Sequence, residues 1–514
     1  MDTKFNMDVN ETKTGEPLRA IDSTADNNAI SNEDRLAQLG HAQELKRQFS
    51  LPTLGALCLC LMATWEALST VVAQALLSGG APCLFYNYVL SFVCSVCIAA
   101  SLGEIASIYP TAGGQYHWVA ALCPPKTRSL AAFTTGWISV GGLTVFCASA
   151  AFVAGLQTQA LIILNDDSYI PQRWQGMLFY WAVLLYSSAL NIWGSRMLPH
   201  ANMISGVIHV VAFVAILIVL GVMAPKRILD HLSSLSLSTA VDGPMMGYHA
   251  LYDAACHMAE EIPNATRNVP IARCRQRPHG SRICRCSPLL YGISRTLLAT
   301  PTGFPFMQIY LDATKSRAGA TVMSLTLITL AIAATVGCIT SASRTLWAFA
   351  RDKAVPFDAY FSHVHKDLQV PVRAIAVVTI MQLLLGFLYL GNTTAFNAVL
   401  SMAIIGIYLS YSIPIAYMLL VGRNRLTRKE YGPFKLGGFL GPILNVVSLV
   451  WMTVVIIFST FPSAQPVTAQ NMNYSTVVMA GWLVSGLCYY FARGHAKFEV
   501  PVVISEVVEG VRDT

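Results

Sequence analysis

The 514-residue chain is 54% hydrophobic, only 12% charged, and has a mean hydropathy of +0.52. A soluble domain carries roughly 25% charged residues, so the composition excludes a soluble enzyme or binding module and predicts a membrane protein. The net charge of +7 is scattered over the loops between apolar runs, which argues against nucleic acid as a partner.

The first 50 residues hold nine acidic and six basic side chains and no apolar run resembling a signal peptide. Residues 1–48 are therefore expected to be a disordered cytoplasmic tail. Beyond them, the stretches 67–103, 129–165, 174–195, 318–343, 374–422 and 436–492 contain no Asp, Glu, Lys or Arg. A spanning helix needs about 20 apolar residues, so several of these runs hold two. The predicted spans are 51–78, 83–107, 129–160, 174–194, 203–224, 318–343, 374–391, 396–422, 436–461 and 475–492, ten in all. They make a transmembrane domain over 49–494, followed by a cytoplasmic tail over 495–514. The interval 225–317 would hold two more spans if the architecture is a twelve-helix one.

Lys and Arg fall on one side of these spans. Lys46 and Arg47 precede the first; Lys126 and Arg128 follow the second, and Arg196 the fourth. Arg344, Arg351, Lys353, Lys366 and Arg373 lie between the spans ending at 343 and beginning at 374, and Arg423, Arg425, Arg428, Lys429 and Lys435 follow 422. The opposite loops, LNDDSYIPQ, LGNTTAF and FPSAQPVTAQNMNYS, are acidic or uncharged, which places both termini in the cytoplasm. Most of the 13 cysteines lie in apolar spans, where cysteine acts as a small hydrophobe. Asn392 and Asn473 head sequons on outer loops, and Asn473 is the candidate glycosylation acceptor.

The first span reads LCLMATWEALSTVVAQALLSGGAP, with Glu66 near its middle. A carboxylate at the bilayer centre costs about 2.5–3.5 kcal/mol, so Glu66 must face a polar cavity or partner. It is either a buried carboxylate satisfied by a neighbouring helix or a functional group. The second span closes on LGEIASIYPTAGGQYHWVAAL, where Pro110, Gly113 and Gly114 break the helix and admit close backbone approach.

SGGAP followed by E-x-x-x-x-x-P-T-A-G-G-Q-Y-x-W resembles the amino acid–polyamine–organocation superfamily of transporters. TWEALS, TGWISV, YDAACHMAEEIPNATRNVP, TPTGFPFMQI, SASRTLWAFARDKAVPF and VPVRAI narrow the resemblance to the fungal amino acid/choline transporter family, over roughly residues 45–500. The resemblance implies an all-α, LeuT-like fold of two inverted five-helix repeats plus two peripheral helices, nominally twelve spans, with the first and sixth interrupted at mid-membrane. It implies a secondary active, proton-coupled permease, a symporter, for amino acids or related amines such as GABA, choline or polyamines. No cofactor and no metal are implied. The plasma membrane is the expected location, with a vacuolar membrane as the alternative.

Counting back from Gly79 and Gly80, the first interruption should fall near Thr64, Trp65, Glu66 and Ala67, and the second near Tyr252 and Asp253. An aromatic beside a carboxylate suits an ammonium or quaternary ammonium group. Trp137 in TGWISV resembles the pocket aromatic of relatives; an ordinary packing tryptophan fits the position equally well. His209, mid-span in GVIHVVAF, is either a coupling residue or a satisfied core histidine. Enzyme readings fail: HMAEE has one histidine and is no zinc-protease motif, and SHVHK at 362–366 lacks companion ligands. A transporter-like nutrient sensor, or a degenerate transporter, is the competing reading.

One stretch resists the pattern. Where a seventh helix should begin, the chain reads RCRQRPHGSRICRCSPLLYGISRTLLAT, with Arg273, Arg275, Arg277, Arg282, Arg285 and Arg295. Burying six arginines mid-membrane would cost about 15 kcal/mol even on the lenient insertion scale, so this segment does not span in contact with lipid. Cys274, His279, Cys284 and Cys286 match no familiar zinc spacing. The approach to Tyr252, SLSTAVDGPMMGYHAL, is also short and polar for half a broken helix. The sequence thus predicts a truncated sixth helix and a degraded seventh, with 272–296 anomalous, as a frameshift or misplaced splice boundary would produce.

Overall fold

The computed structural model describes residues 50–63, 65–70, 80–223, 267, 300–426, 430–462 and 466–501. The helices are α1 Leu51–Met62, α2 Gly80–Ile108, α3 Gln115–Leu122, α4 Arg128–Asn165, α5 Arg173–Ile192 and α6 Leu198–Met223, then α7 Pro305–Thr314, α8 Arg317–Arg351 and α9 Asp358–Phe361. They continue with α10 Val372–Gly391, α11 Thr393–Tyr417, α12 Leu440–Phe458 and α13 Ser475–Tyr489. Among the described residues there is no strand, and nine helices are long and apolar enough to cross a membrane. The expectation was ten. The span falling short in apolarity is α5, which has 20 residues but carries Trp174, Gln175, Tyr180, Trp181, Tyr186 and Asn191. It packs between α4, α8 and α10, where Tyr180, Trp181 and Asn191 make their hydrogen bonds, while Trp174 and Tyr186 are exposed.

α4 and α8, at 38 and 35 residues the longest helices, run antiparallel through the centre. At one end Thr321 meets Asn165 at 3.0 Å and Arg317 meets Asp167 at 2.6 Å; midway the Cys147 thiol reaches Thr335 O; at the other end Gly136 lies against Phe349. Two triplets repeat around them: α4, α5, α6 with 38, 20 and 26 residues, and α8, α10, α11 with 35, 20 and 25. Their opposite direction is the inverted repeat that the resemblance implied.

Lipid gives helices no hydrophobic reason to associate, so close backbones and buried polar ties hold the bundle. A Cβ on Gly142 would meet the Gly406 backbone at 3.1 Å, so α4 and α11 touch backbone to backbone. Asn191 donates to Val336 O at 3.0 Å and accepts from Thr340 at 2.6 Å. Ser188 meets Thr379 at 2.7 Å, Tyr180 donates to Gln382 O at 2.7 Å, and Gln382 donates to Thr144 O at 3.1 Å.

Boundaries follow the charge-free runs except at buried charges: α2 runs past 103, through the buried Glu104, to Ile108. α8 continues past 343 to Arg351, because Arg344 is only 2% exposed and sits inside the bundle instead of starting a loop. α11 passes through a π-helical turn, Met418–Gly422, shortly after Pro414. The loops fall on two faces: Thr394 bonds Gln470 O on one, and the Glu499 N–H reaches Asp352 O on the other. The truncated sixth helix, the degraded seventh, the anomalous 272–296 and most of both tails lie outside the described residues.

Candidate functional site

α1 begins at a capping box, Ser50 with Thr53, and has Pro52 in its first turn. It ends at Ala63, whose φ of 37° and ψ of 47° lie in the left-handed region. An L-residue there is strained by about 1–2 kcal/mol, and such strain persists only where the surroundings impose it. Helix resumes over 65–70, with the Ala67 N–H on Ala63 O at 2.8 Å. The interruption thus falls at Ala63, at the leading edge of the expected stretch, and Trp65 and Glu66 open the second half. Thr64 lies outside the described residues. Ala67 is half-buried, and its carbonyl accepts from the Thr70 hydroxyl.

α6 lies against this break. Its buried residues, Leu198, Pro199, Asn202, Gly206, His209, Ile216 and Leu220, recur every three to four positions and make one stripe. Gly206 lets α1 in close, since a Cβ there would stand 2.9 Å from the Ala56 Cβ. His209 is thereby brought to Glu66, with Nδ1 2.6 Å from Oε1 and both side chains buried. The contact has ion-pair distance without the alignment of a good hydrogen bond. Trp65 stands edge-on to His209, ring centres 5.9 Å apart, and is tilted against Phe213 at 5.9 Å. Ala160 and Leu164 of α4, Ile216 and Leu220 of α6, and Phe306, Met307 and Tyr310 of α7 complete an apolar wall around Trp65.

Within this wall, Glu66 Oε2, His209 Nε2 and Trp65 Nε1 are buried without a hydrogen-bond partner among the described residues. An acceptor, an imidazole nitrogen and an indole donor therefore share a buried setting with aromatic and apolar neighbours. Buried polar groups ordinarily find partners, so these atoms call for one, from a ligand or from water. A carboxylate oxygen beside indole and phenyl faces is the chemistry that receives an organic cation.

Other expected residues fall elsewhere. Trp137 belongs to the seam between α4 and α13. Its N–H donates to Trp482 O, the Trp482 N–H donates back to Trp137 O, both at 2.9 Å, and the rings stack at 5.0 Å. The polar atom and one ring face of Trp137 are thus engaged by a helix contact, as the packing reading of this tryptophan expects. Tyr252 and Asp253 lie outside the described residues. Asn473 donates its amide to Ser459 O at 2.6 Å and Phe461 O at 3.3 Å, tying the loop before α13, while Asn392 caps α11 through the Ala395 N–H. In SHVHK, His365 Nδ1 accepts backbone N–H groups of its own turn. Among the described residues no three His, Cys, Asp or Glu side chains converge on a metal position.

Phe213 was not anticipated, although it stands four residues after His209 and so on the same helix face. A second buried cluster was missed as well: Asp352 accepts from the Tyr116 hydroxyl at 2.8 Å and lies 2.9 Å from His117 Nε2. Beside it Lys353 pairs with Glu499, whose carboxylate raises the lysine's pKa above its ordinary value.

The sequence model of a family described as amino acid permease matches residues 49–274 and 288–482. The choline transporter of Saccharomyces cerevisiae is 27% identical over 511 residues, covering 96% of this chain and 88% of that protein. A Macrophomina phaseolina protein named for amino acid/polyamine transport is 31% identical over 441 residues, 81% of this chain and 95% of its own. Amino-acid permease BAT1 of Arabidopsis thaliana is 27% identical over 504 residues, 92% and 96%. The family match is interrupted over 275–287, inside the basic segment, and includes both halves of the Glu66–His209 pair.

Proposed function

Because the chain belongs to the amino acid permease family, and so is a multi-pass membrane transporter of amino acids or related amines, we propose that its substrate carries an ammonium or quaternary ammonium group received by Glu66. The observation that carries this is the buried Glu66, one oxygen on His209 and the other unpartnered among the described residues, at the break of the first helix. Trp65 and Phe213 supply apolar and π faces for the substituents of such a cation. GABA, choline and polyamines all fit this class. Tyr252 and Asp253, at the expected second break, are proposed to contribute to the same site.

His209 is proposed to couple transport to protons. A single carboxylate between an imidazole and a substrate cation makes the charge state of one depend on the presence of the other, and that dependence is what coupling requires. Imidazole is the side chain whose ordinary titration lies in the physiological range. The protein is proposed to work at the plasma membrane, with its Lys/Arg-rich face cytoplasmic.

Uptake in permease-deficient cells tests these roles. Glu66→Gln keeps shape while removing charge; losing a charge-assisted contact of about 1.5–3 kcal/mol lowers uptake about tenfold or more. His209→Asn is expected to remove the response of uptake to an imposed proton gradient. Transport by Glu66→Gln with unchanged apparent affinity, at equal surface level, contradicts the site. A preserved gradient response in His209→Asn contradicts the coupling role.

A further inference from the structure

α2 closes on LGEIASIYP, and its last two turns lie beneath a segment that follows the second repeat. Glu104 is 0% exposed; its Oε2 pairs with Arg423 at 2.7 Å and its Oε1 accepts the Leu436 N–H at 2.9 Å. Ser107, one turn on and on the same face, accepts the Phe434 N–H at 3.1 Å. Gly432 passes so closely that a Cβ there would stand 2.2 Å from the Ser107 oxygens. Arg423 also reaches Gly437 O and Asn445 Oδ1, each at 3.4 Å. It follows directly on the π-helical turn Met418–Gly422, which shifts the helix register just before it.

Three features distinguish this contact from a permanent strut. It joins the two halves of the molecule: α2 belongs to the first repeat, while Arg423 follows α11, the last helix of the second. Transporters built on inverted repeats alternate by moving one such set of helices against the other. The pair is also incompletely satisfied, since Arg423 Nε and Asn445 Nδ2 are buried without a hydrogen-bond partner among the described residues. A buried ion pair with unmet donors recovers only part of its desolvation cost. Finally, the segment is bracketed by Gly432 and by Gly437–Gly438, and Gly437 has a φ of +80°, so it can hinge at both ends.

We propose that Glu104, Arg423 and segment 432–437 form a latch on the Lys/Arg-rich face, closed in this structure and opened once in each transport cycle. The latch rests on the transporter assignment and not on the substrate assigned to Glu66. Opening it withdraws Arg423 and the Leu436 N–H from Glu104 and frees the end of α2. Closing it favours the state in which the substrate site faces away from the Lys/Arg-rich side.

Two measurements test the latch. Glu104→Gln keeps an acceptor for Leu436 but removes the charge, which should bias the conformational equilibrium and raise the apparent KM for substrate on the far side about tenfold. An unchanged KM overturns the latch. Ser107→Cys with Phe434→Cys places two thiols across the contact, to be joined by copper-phenanthroline oxidation with each single variant treated alike. Cross-linking should arrest uptake and reduction should restore it. Uptake that persists once the cross-link has formed shows a static tie and overturns the proposal, as does failure of the cross-link to form.

Discussion

Glu66 illustrates how far a single residue can be read. Its cost inside an apolar run marks it in the sequence, and His209 stands out for the same reason; that each answers the other does not show, because no local rule links residues on two distant helices. Trp137 shows the converse. Composition cannot tell which face of α4 it occupies, and the stacked partner Trp482 lies near the other end of the chain. Ala63 carried no signal at all, being an ordinary helix former held at φ 37° by its surroundings. Left-handed backbone tolerates Gly, strains Ala and strains a β-branched residue further, a spread of about 1–2 kcal/mol. Thermal stability in detergent should therefore rank Ala63→Gly at or above the parent and Ala63→Val below it. A Val variant as stable as the parent would show that the break is not built on this conformation.

At the scale of elements, charge-free runs located nearly every helix, because a membrane span must exclude charge along its length. The failures have physical causes. The charge of Arg344 predicts a loop after 343, yet the residue is buried among helices, so charge does not end α8. α5 keeps Tyr180, Trp181 and Asn191 because neighbouring helices receive their polar atoms, while Trp174 and Tyr186 stay exposed. α6 could be read as apolar, but its single packed stripe depends on where α1 lies. Gly206 sets that approach, and Gly206→Leu would drive a side chain into Ala56. Overpacking of this kind costs about 1–3 kcal/mol; the expected result is a lower melting temperature together with reduced uptake, since the same displacement parts Glu66 from His209. A variant that melts lower and transports normally would separate the α1–α6 seam from the site.

Across the whole molecule, the paired triplets around α4 and α8 carry the fold, and the family match covers the same helices on both sides of its interruption at 275–287. The basic character of that segment was legible because six arginines cannot lie in lipid, and the break in similarity falls inside it. Lys and Arg alone predict the sidedness of the spans. Epitope tags at residue 1 and residue 514 should both be inaccessible to antibody in intact cells and accessible after permeabilisation; exposure of either tag in intact cells would reverse the orientation and place the Glu104–Arg423 contact outside.

The central claim is that Glu66 recognises positive charge on the substrate, and a pair of competitors differing only in that charge tests it most directly. Choline and its uncharged carbon isostere, 3,3-dimethyl-1-butanol, are compared as inhibitors of uptake by the parent protein and by Glu66→Gln at equal surface level. The account predicts that the cation competes about tenfold better or more in the parent, the worth of one charge-assisted contact, and that the preference collapses in Glu66→Gln. Equal preference for the cation in both proteins would contradict it.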